Sequence, residues 1–222
     1  SYLTISTSQL RAGMNSSGVA TNYMDKQPEL IQSNFYWHSG VQVGAIADLS
    51  IRKFLAIEVG LFWERHGYDA AMMAATAEED YMGSQFTRVR YNDIHIPVLM
   101  SWRFNILPQA VWSVDLGPYF SYGLSGTKKA DSYIAFGEED GQLVFDHNIS
   151  NQKYFKADPK DFLAVNRFDA GLKVGTGLAF FSHYTISVYY QRSVKNNAKD
   201  FDGGADYRLR NCSWSVNIGY NF

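Results

Sequence analysis

Apolar and polar residues alternate along the last eleven positions of the chain. Even positions from Cys212 to Phe222 are apolar, whereas odd positions from Ser213 to Asn221 carry Ser, Asn or Gly. Because successive side chains of a β-strand point to opposite faces, this period predicts a strand with one apolar and one polar face. Strands of transmembrane β-barrels combine this alternation with aromatic residues at the membrane interface. Four of the even residues are expected to form a C-terminal signal for the barrel-assembly machinery: Trp214, Ile218, Tyr220 and Phe222.

The same two-residue period recurs in seven earlier stretches. They are residues 2–14, 41–49, 55–63, 94–104, 112–124, 168–180 and 186–190. In the first stretch the apolar residues change parity, which indicates a β-bulge near Thr7 to Gln9. Together with the last segment these stretches predict eight strands, and we expect each to span a membrane as a tilted strand.

The connections between these strands alternate in length. Short links cover residues 50–54, 105–110 and 181–184, and long polar segments cover residues 15–34, 65–91, 125–167 and 192–211. Outer-membrane barrels have short periplasmic turns and long extracellular loops. The sequence therefore predicts an all-β fold: an eight-stranded antiparallel up-and-down transmembrane β-barrel, with long extracellular loops and short periplasmic turns. Residues 1–222 are expected to form this single domain.

Composition narrows the class of protein. Aromatic residues make up 16% of the chain and charged residues 19%, yet mean hydropathy is −0.25. This combination suits barrel strands, which are half polar, and no stretch approaches the ~18 apolar residues of a spanning helix. The net charge of −2 and the absence of a basic stripe argue against nucleic acid as a partner. We expect a bacterial outer-membrane location, with the signal peptide removed before Ser1.

A soluble barrel of the lipocalin type is the alternative architecture. It would place apolar residues inside and charged residues outside. Each apolar stripe of this chain is opposed by a stripe of Gly, Ser and charged residues, which is too polar for a cavity that holds an apolar ligand. The pattern therefore favours the membrane barrel.

Several short stretches resemble the PorT-type outer-membrane β-barrel proteins of Bacteroidetes-like bacteria. They are residues 10–15 (LRAGMN), 57–62 (IEVGLF), 92–99 (NDIHIPVL), 116–120 (LGPYF), 169–177 (DAGLKVGTG) and 218–222 (IGYNF). The resemblance lies in their order and spacing and excludes the long loops. It implies an eight-stranded barrel but no common activity. Some barrels of this type serve in larger assemblies for secretion, barrel insertion or nutrient uptake.

Charged and polar residues on the predicted inner face are expected to form a lumen network. They are Arg11, Asp48, Glu58, Glu64, Asp93, His95, Arg103, Asp115, Asp169 and Lys173. Because buried charges need partners, we interpret them as a mixed-sign plug that fills the barrel. A proton or ion path and a catalytic carboxylate pair remain alternatives. No cofactor or metal is predicted.

The long loops carry the remaining candidate features. Residues 69–83 have a helix-forming composition and predict a short surface helix. Residues 133–136 and 142–145 flank an acidic tip and predict a hairpin that extends the barrel wall. Asp200, Asp202 and Asp206 suggest a loose cation loop, although a solvated turn is the favoured interpretation.

These features predict a non-enzymatic accessory or interaction subunit of a larger outer-membrane complex. Its expected partners are the lipid bilayer and another outer-membrane protein. A stand-alone adhesin or membrane-stabilising barrel is the second hypothesis. A lipid-modifying enzyme is the third. It needs a base at the lipid-facing rim, and His66, two residues after Glu64 and near the predicted outer rim, is the best candidate.

Overall fold

The computed structural model describes residues 4–22, 30–76, 81–139, 142–156, 163–199 and 207–222. The β-strands are β1 Thr4–Thr21, β2 Leu30–Arg52, β3 Leu55–Thr76, β4 Tyr81–Leu107, β5 Ala110–Glu139, β6 Gln142–Lys153, β7 Phe168–Phe180, β8 Tyr184–Ser193 and β9 Leu209–Asn221. A 3₁₀ turn covers Tyr154–Lys156. Within the described ranges no helix has the length and apolarity needed to cross a membrane. The aspartates of the suggested cation loop lie outside the described residues.

Eight of the nine strands close into an antiparallel ring. The order around the ring is β1, β2, β3, β4, β5, β7, β8 and β9, and β9 returns to β1 in a register that runs from Gln9 opposite Asn221 to Thr21 opposite Leu209. Three tight turns, at residues 53–54, 108–109 and 181–183, join strands at one end of the ring, which we call the short-turn end. The predicted eight-stranded up-and-down barrel is thereby confirmed.

The strands extend further beyond the ring than the sequence pattern indicated. Residues 70–76 of β3 pair with residues 81–87 of β4, and neither segment is helical. The prediction of a surface helix over residues 69–83 is therefore wrong. Helix propensity is a weak local preference, and pairing of β3 with strands on both sides outweighs it here.

A ninth strand lies outside the ring. The first part of β5 pairs with β7 up to Tyr122 opposite Phe168, and its second part pairs instead with β6, from Thr127 opposite Lys153 onward. The predicted hairpin at residues 133–145 is thus present as part of a longer one. Beyond the ring, the ends of β2, β3, β4 and β5 together with β6 form a five-stranded sheet, which we call the extension sheet.

The barrel wall is apolar outside and polar inside. Ile218 on the outer face is 67% exposed, whereas Glu64 on the inner face is fully buried. The outer apolar residues recur on every strand of the ring, and they include Leu10, Val43, Leu61, Met100, Leu116, Leu172, Ile186 and Val216. This polarity is the reverse of that of a lipocalin, as the sequence pattern predicted.

An apolar cluster lies above the polar lumen, at the long-loop end. Its buried members, which we call the cap, are Tyr68, Ala70, Val89, Tyr91, Tyr154, Leu163, Val165 and Leu209. The Tyr154 ring stacks on Tyr91 with centroids 5.4 Å apart, and its hydroxyl lies 3.0 Å from that of Tyr68. Burial raises the pKa of Tyr68 and Tyr154 above the ordinary value, so both hydroxyls stay protonated.

The 3₁₀ turn fits the wall closely beside the cap. The Phe155 ring lies directly over Gly123 of β5, where an added Cβ would come within 2.1 Å of a ring atom. Only glycine allows such a close approach without moving the ring. The missing side chain at Gly123 therefore lets the 3₁₀ turn pack directly against β5.

Replacing Tyr154 by alanine should destabilise the protein by about 3 kcal/mol, because it removes a buried aromatic ring and leaves a cavity in the cap. Urea-induced unfolding in lipid vesicles would measure the loss. Tyr133→Ala is the matched control, since Tyr133 is half exposed, and it should change the free energy of unfolding by only about 0.5 kcal/mol. Equal losses in the two variants would contradict a structural cap.

Candidate functional site

The lumen near the short-turn end is held by charge pairs around one carboxylate. Glu58 on β3 accepts from Arg11 on β1 at 3.2 Å and from Arg103 on β4 at 3.1 Å. The Arg103 guanidinium also donates to Asp48 on β2 at 2.7 Å. Each of these side chains comes from an inward position of a different strand, so the pairs join the four consecutive strands β1 to β4. A buried carboxylate is stable in this position because two guanidinium groups satisfy it.

A tyrosine carries this network across the barrel. Arg11 donates from Nη1 to the Tyr189 hydroxyl at 2.6 Å, and that hydroxyl donates to Asp115 at 2.8 Å. Gln9 accepts from Nε of Arg11 and donates to Thr185 at 2.8 Å. Tyr189 on β8 therefore connects β1 to β5 through the centre of the lumen.

The middle of the lumen contains a second charge cluster. His66 lies 2.8 Å from Glu64 and 3.6 Å from Asp93. Lys173 on β7 approaches the same Glu64 at 3.9 Å and Nε2 of His95 at 3.3 Å. Four ionisable side chains thus surround Glu64, which is wholly buried.

Asp169 anchors the upper lumen just below the cap. It accepts from Ser193 at 2.7 Å and from Asn211 at 3.0 Å, and the Tyr119 hydroxyl lies 3.4 Å away. These contacts link β5, β7, β8 and β9 at the level where the apolar residues begin. All three contacts are made to Oδ2 by neutral groups, and the described residues form no ion pair with Asp169.

The structure brings all ten sequence-predicted lumen residues into the barrel. Glu58 lies at the centre of the first charge cluster, and Glu64 lies at the centre of the second. Asp169 lies above both clusters. Tyr119, Tyr189 and Gln191 also line the lumen and are not among the residues predicted from the sequence. Residues 189 and 191 lie on the polar face of β8, so the alternation contains the signal for both. The other predicted set, Trp214, Ile218, Tyr220 and Phe222, lies exposed on the outer face.

His66 does not lie at a lipid-facing rim. Its side chain is buried in the lumen, because it shares the inward parity of Glu64 on β3. The cavity beside it measures about 20 Å³, which holds a water molecule but not a lipid. The sequence-based placement of His66 at the rim is therefore wrong.

Glu64, His66 and Asp93 are the described residues that could hold a metal ion. Each offers one ligand atom, and these atoms lie within 4.8 Å of one another. A nitrogen and two carboxylate oxygens suit a divalent cation such as Zn²⁺. Nε2 of His66 is already hydrogen-bonded to Oε2 of Glu64 at 2.8 Å, whereas Nδ1 of His66, Oε1 of Glu64 and Oδ1 of Asp93 are buried without a hydrogen-bond partner among the described residues.

In the described part of the chain, buried side chains fill the lumen between its two ends. A recess of about 280 Å³ opens at the short-turn end and reaches Arg11, Glu58 and Arg103. Above it the side chains of the two clusters fill the interior, and the cap covers the far end. An eight-stranded barrel is just wide enough for such filling.

Replacing Glu58 by glutamine should lower the free energy of unfolding by on the order of 3 kcal/mol, because the buried Arg11 guanidinium loses its carboxylate partner and Arg103 loses one of its two. The shift in heat-modifiable gel migration and in the urea midpoint would report it. Asp131→Asn is the control, since the Asp131–His147 pair is more than 40% exposed on both sides and should contribute less than about 1 kcal/mol. A Glu58→Gln protein as stable as the control would show that the lumen pairs do not support the fold.

The sequence matches the family described as "Outer membrane protein beta-barrel domain" over residues 6–199. No curated protein matches the chain. Similar solved structures include neisserial surface protein A, with 10% identity, 97% of each chain covered and a TM-score of 0.37. Ail of Yersinia pestis shares 14% identity over 99% of this chain and 100% of that one, with a TM-score of 0.35.

A third similar structure is the outer membrane protein OprG of Pseudomonas aeruginosa, with 11% identity, 100% of this chain and 97% of that chain covered, and a TM-score of 0.47. The family match extends from β1 to beyond the end of β8 and so includes most of the closed ring. The chain therefore belongs to the outer membrane protein β-barrel domain family.

Proposed function

We propose that this outer-membrane barrel is a non-enzymatic accessory subunit that binds another outer-membrane protein through β6, at one edge of its extension sheet. The single observation that carries the proposal is β6, a strand with a partner on one side only among the described strands. In barrels of this kind the long-loop end faces the outside of the cell. The short stretches shared with PorT-type barrels support placing the chain in that subgroup, some of whose members serve in larger assemblies.

The open edge of β6 is suited to strand addition. Residues 142–153 hydrogen-bond to β5, and the described structure assigns no strand to their other side. An unpaired edge offers a row of backbone donors and acceptors to an incoming strand. Many proteins recognise an extended partner segment in this way, with side-chain pockets that supply the specificity.

Apolar side chains accompany this edge. Phe145 is 71% exposed and Ile149 68%, and both flank His147 on the same face of β6. The His147 ring stacks on Tyr133 of β5 with centroids 4.2 Å apart. These four residues form an exposed surface, which we call the hairpin patch. Exposed apolar surface of this kind is typical of interaction sites.

The hairpin patch stands too far from the membrane to be covered by lipid. Tyr122 is the aromatic residue of β5 that lies opposite Phe168 at the end of the apolar wall. Tyr133 follows on the same strand roughly 35 Å further along, at about 3.3 Å per residue. A protein segment is therefore the better occupant for this surface.

The closed lumen supports a binding role. A recess that ends at Arg11 and a cavity of about 20 Å³ beside His66 leave little room for a substrate. We therefore assign the function to the outer surfaces and propose no reaction for the lumen residues. The second sequence-based hypothesis, a stand-alone adhesin, would use the same exposed loops without a partner in the membrane.

Gentle detergent extraction of the tagged protein, followed by mass spectrometry, should recover a second outer-membrane protein in stoichiometric amount. A photo-crosslinking residue at Asn148, which is exposed on β6, should capture the same protein. The double variant Phe145→Ser/Ile149→Ser should lose both signals, because it removes the apolar contacts of the hairpin patch.

The matched control is Tyr36→Ser/Val194→Ser, which removes two exposed apolar side chains at the same end of the barrel but away from β6. It should retain the partner. Recovery of the wild-type protein as a lone monomer in several mild detergents would contradict the accessory role and favour the adhesin hypothesis.

A further inference from the structure

Five cationic side chains surround one pocket on the outside of the barrel. The pocket has a volume of about 540 Å³ and lies where β5 changes partner from β7 to β6. Its cations are Arg65, Arg90, Lys153, Lys156 and Arg167. None of its described lining residues is a carboxylate. We propose that this pocket binds the phosphorylated headgroup of a lipid in the outer leaflet of the membrane.

The positive charge of the pocket favours the binding of an anion. Arg65, Lys153 and Lys156 are exposed and form no ion pair with the described carboxylates, whereas Arg90 is paired with Asp69 at 2.7 Å. Like charges that share one concave surface repel each other, and a bound anion removes that cost. A pocket of this size is within the range of small-molecule sites.

Two of the arginines are held in place by the protein. Arg167 donates from Nη1 to the carbonyl oxygens of Gly123 at 2.7 Å and Leu124 at 3.0 Å. Its guanidinium also lies 5.2 Å from the centre of the Phe155 ring. Arg90 donates to the carbonyl oxygen of Tyr68 at 3.1 Å. Arginines held in this way lose little side-chain freedom on binding, and their planar groups suit phosphate oxygens.

The pocket begins where the membrane-facing wall ends. Trp63, Ile94, Tyr122 and Phe168 lie opposite one another on four adjacent strands and form the last apolar row of this side of the wall. In the next outward row Arg65 lies opposite Asn92, and Asn92 lies opposite Ser125. Aromatic residues at the end of a barrel wall mark the headgroup level of the bilayer. The cations therefore stand at the height of the lipid phosphates.

The apolar surface next to the pocket distinguishes a lipid from free phosphate. Leu124 lines the pocket and is 46% exposed, and Phe120 and Tyr122 continue the same outer face of β5 toward the membrane. A lipid can place its phosphate among the cations and its acyl chains along these residues at the same time. Inorganic phosphate would use only the first of these contacts.

The test uses the full-length barrel in nanodiscs of phosphatidylcholine and diphosphorylated lipid A. Native mass spectrometry of the barrel after its release from the nanodisc should show one tightly held lipid A per barrel. Excess inorganic phosphate should not displace this lipid. The double variant Lys153→Gln/Lys156→Gln should lower the retention of lipid A about tenfold, because two charge-assisted contacts to the lipid phosphate are lost outside the ring. Arg65→Gln is a second pocket variant and should reduce retention in the same direction.

Arg52→Gln/Lys53→Gln is the matched control, since it removes two exposed positive charges at the short-turn end. It should retain lipid A as the wild type does. Equal retention of dephosphorylated lipid A, displacement by inorganic phosphate, or undiminished retention in both pocket variants would overturn the proposal. Because the hairpin patch is not altered in these variants, the result is independent of the proposed protein partner.

Discussion

The structure depends on one constraint: a closed ring of eight strands with its apolar side chains turned outward must place its polar side chains in a narrow interior. Each of the eight ring strands pairs with a neighbour on both sides, so the ring of described strands has no open edge toward lipid. The interior then brings carboxylates and cations within contact distance of one another. Glu58 between Arg11 and Arg103, and Glu64 between His66 and Lys173, are the result.

Because charge pairs fill the lumen, the two proposed binding surfaces lie on the outside of the barrel and beyond its end. The cap closes the interior from above, and its central Tyr154 comes from a turn between β6 and β7 rather than from the ring. The same turn places Phe155 on Gly123 and Lys156 at the edge of the cationic pocket. One short segment thus closes the lumen and shapes an outer site.

The two proposed binding surfaces lie at different heights above the membrane and suit different ligands. The cationic pocket stands at the lipid headgroup level, where charge and an adjacent apolar wall favour a phosphorylated amphiphile. The hairpin patch stands well beyond the bilayer, where exposed apolar side chains and an open strand edge favour a protein segment. A bound lipid beside Lys153, at the end of β6, would also help to fix the base of that hairpin.

The amino-acid sequence by itself determined the ring and the direction of its side chains. Alternation is a local property of the pleated strand, so Glu64 and Asp115 could be grouped on the polar face and Ile218 on the apolar face without knowing their neighbours. The charge of the polar stripes and the alternating loop lengths then assigned the polar face to the lumen. The short turns followed in the same way, because they interrupt the alternation at fixed places in the chain.

Only the tertiary structure decided how far the strands extend and which side chains meet. The segment at residues 70–76 has a helix-forming composition, yet pairing with β2 and β4 makes it a strand. Arg65 and Lys156 are far apart in the chain and share a pocket because the stagger of the strands brings them together. Strand register and the path of a connecting segment depend on contacts between distant residues, and a local pattern carries no information about them.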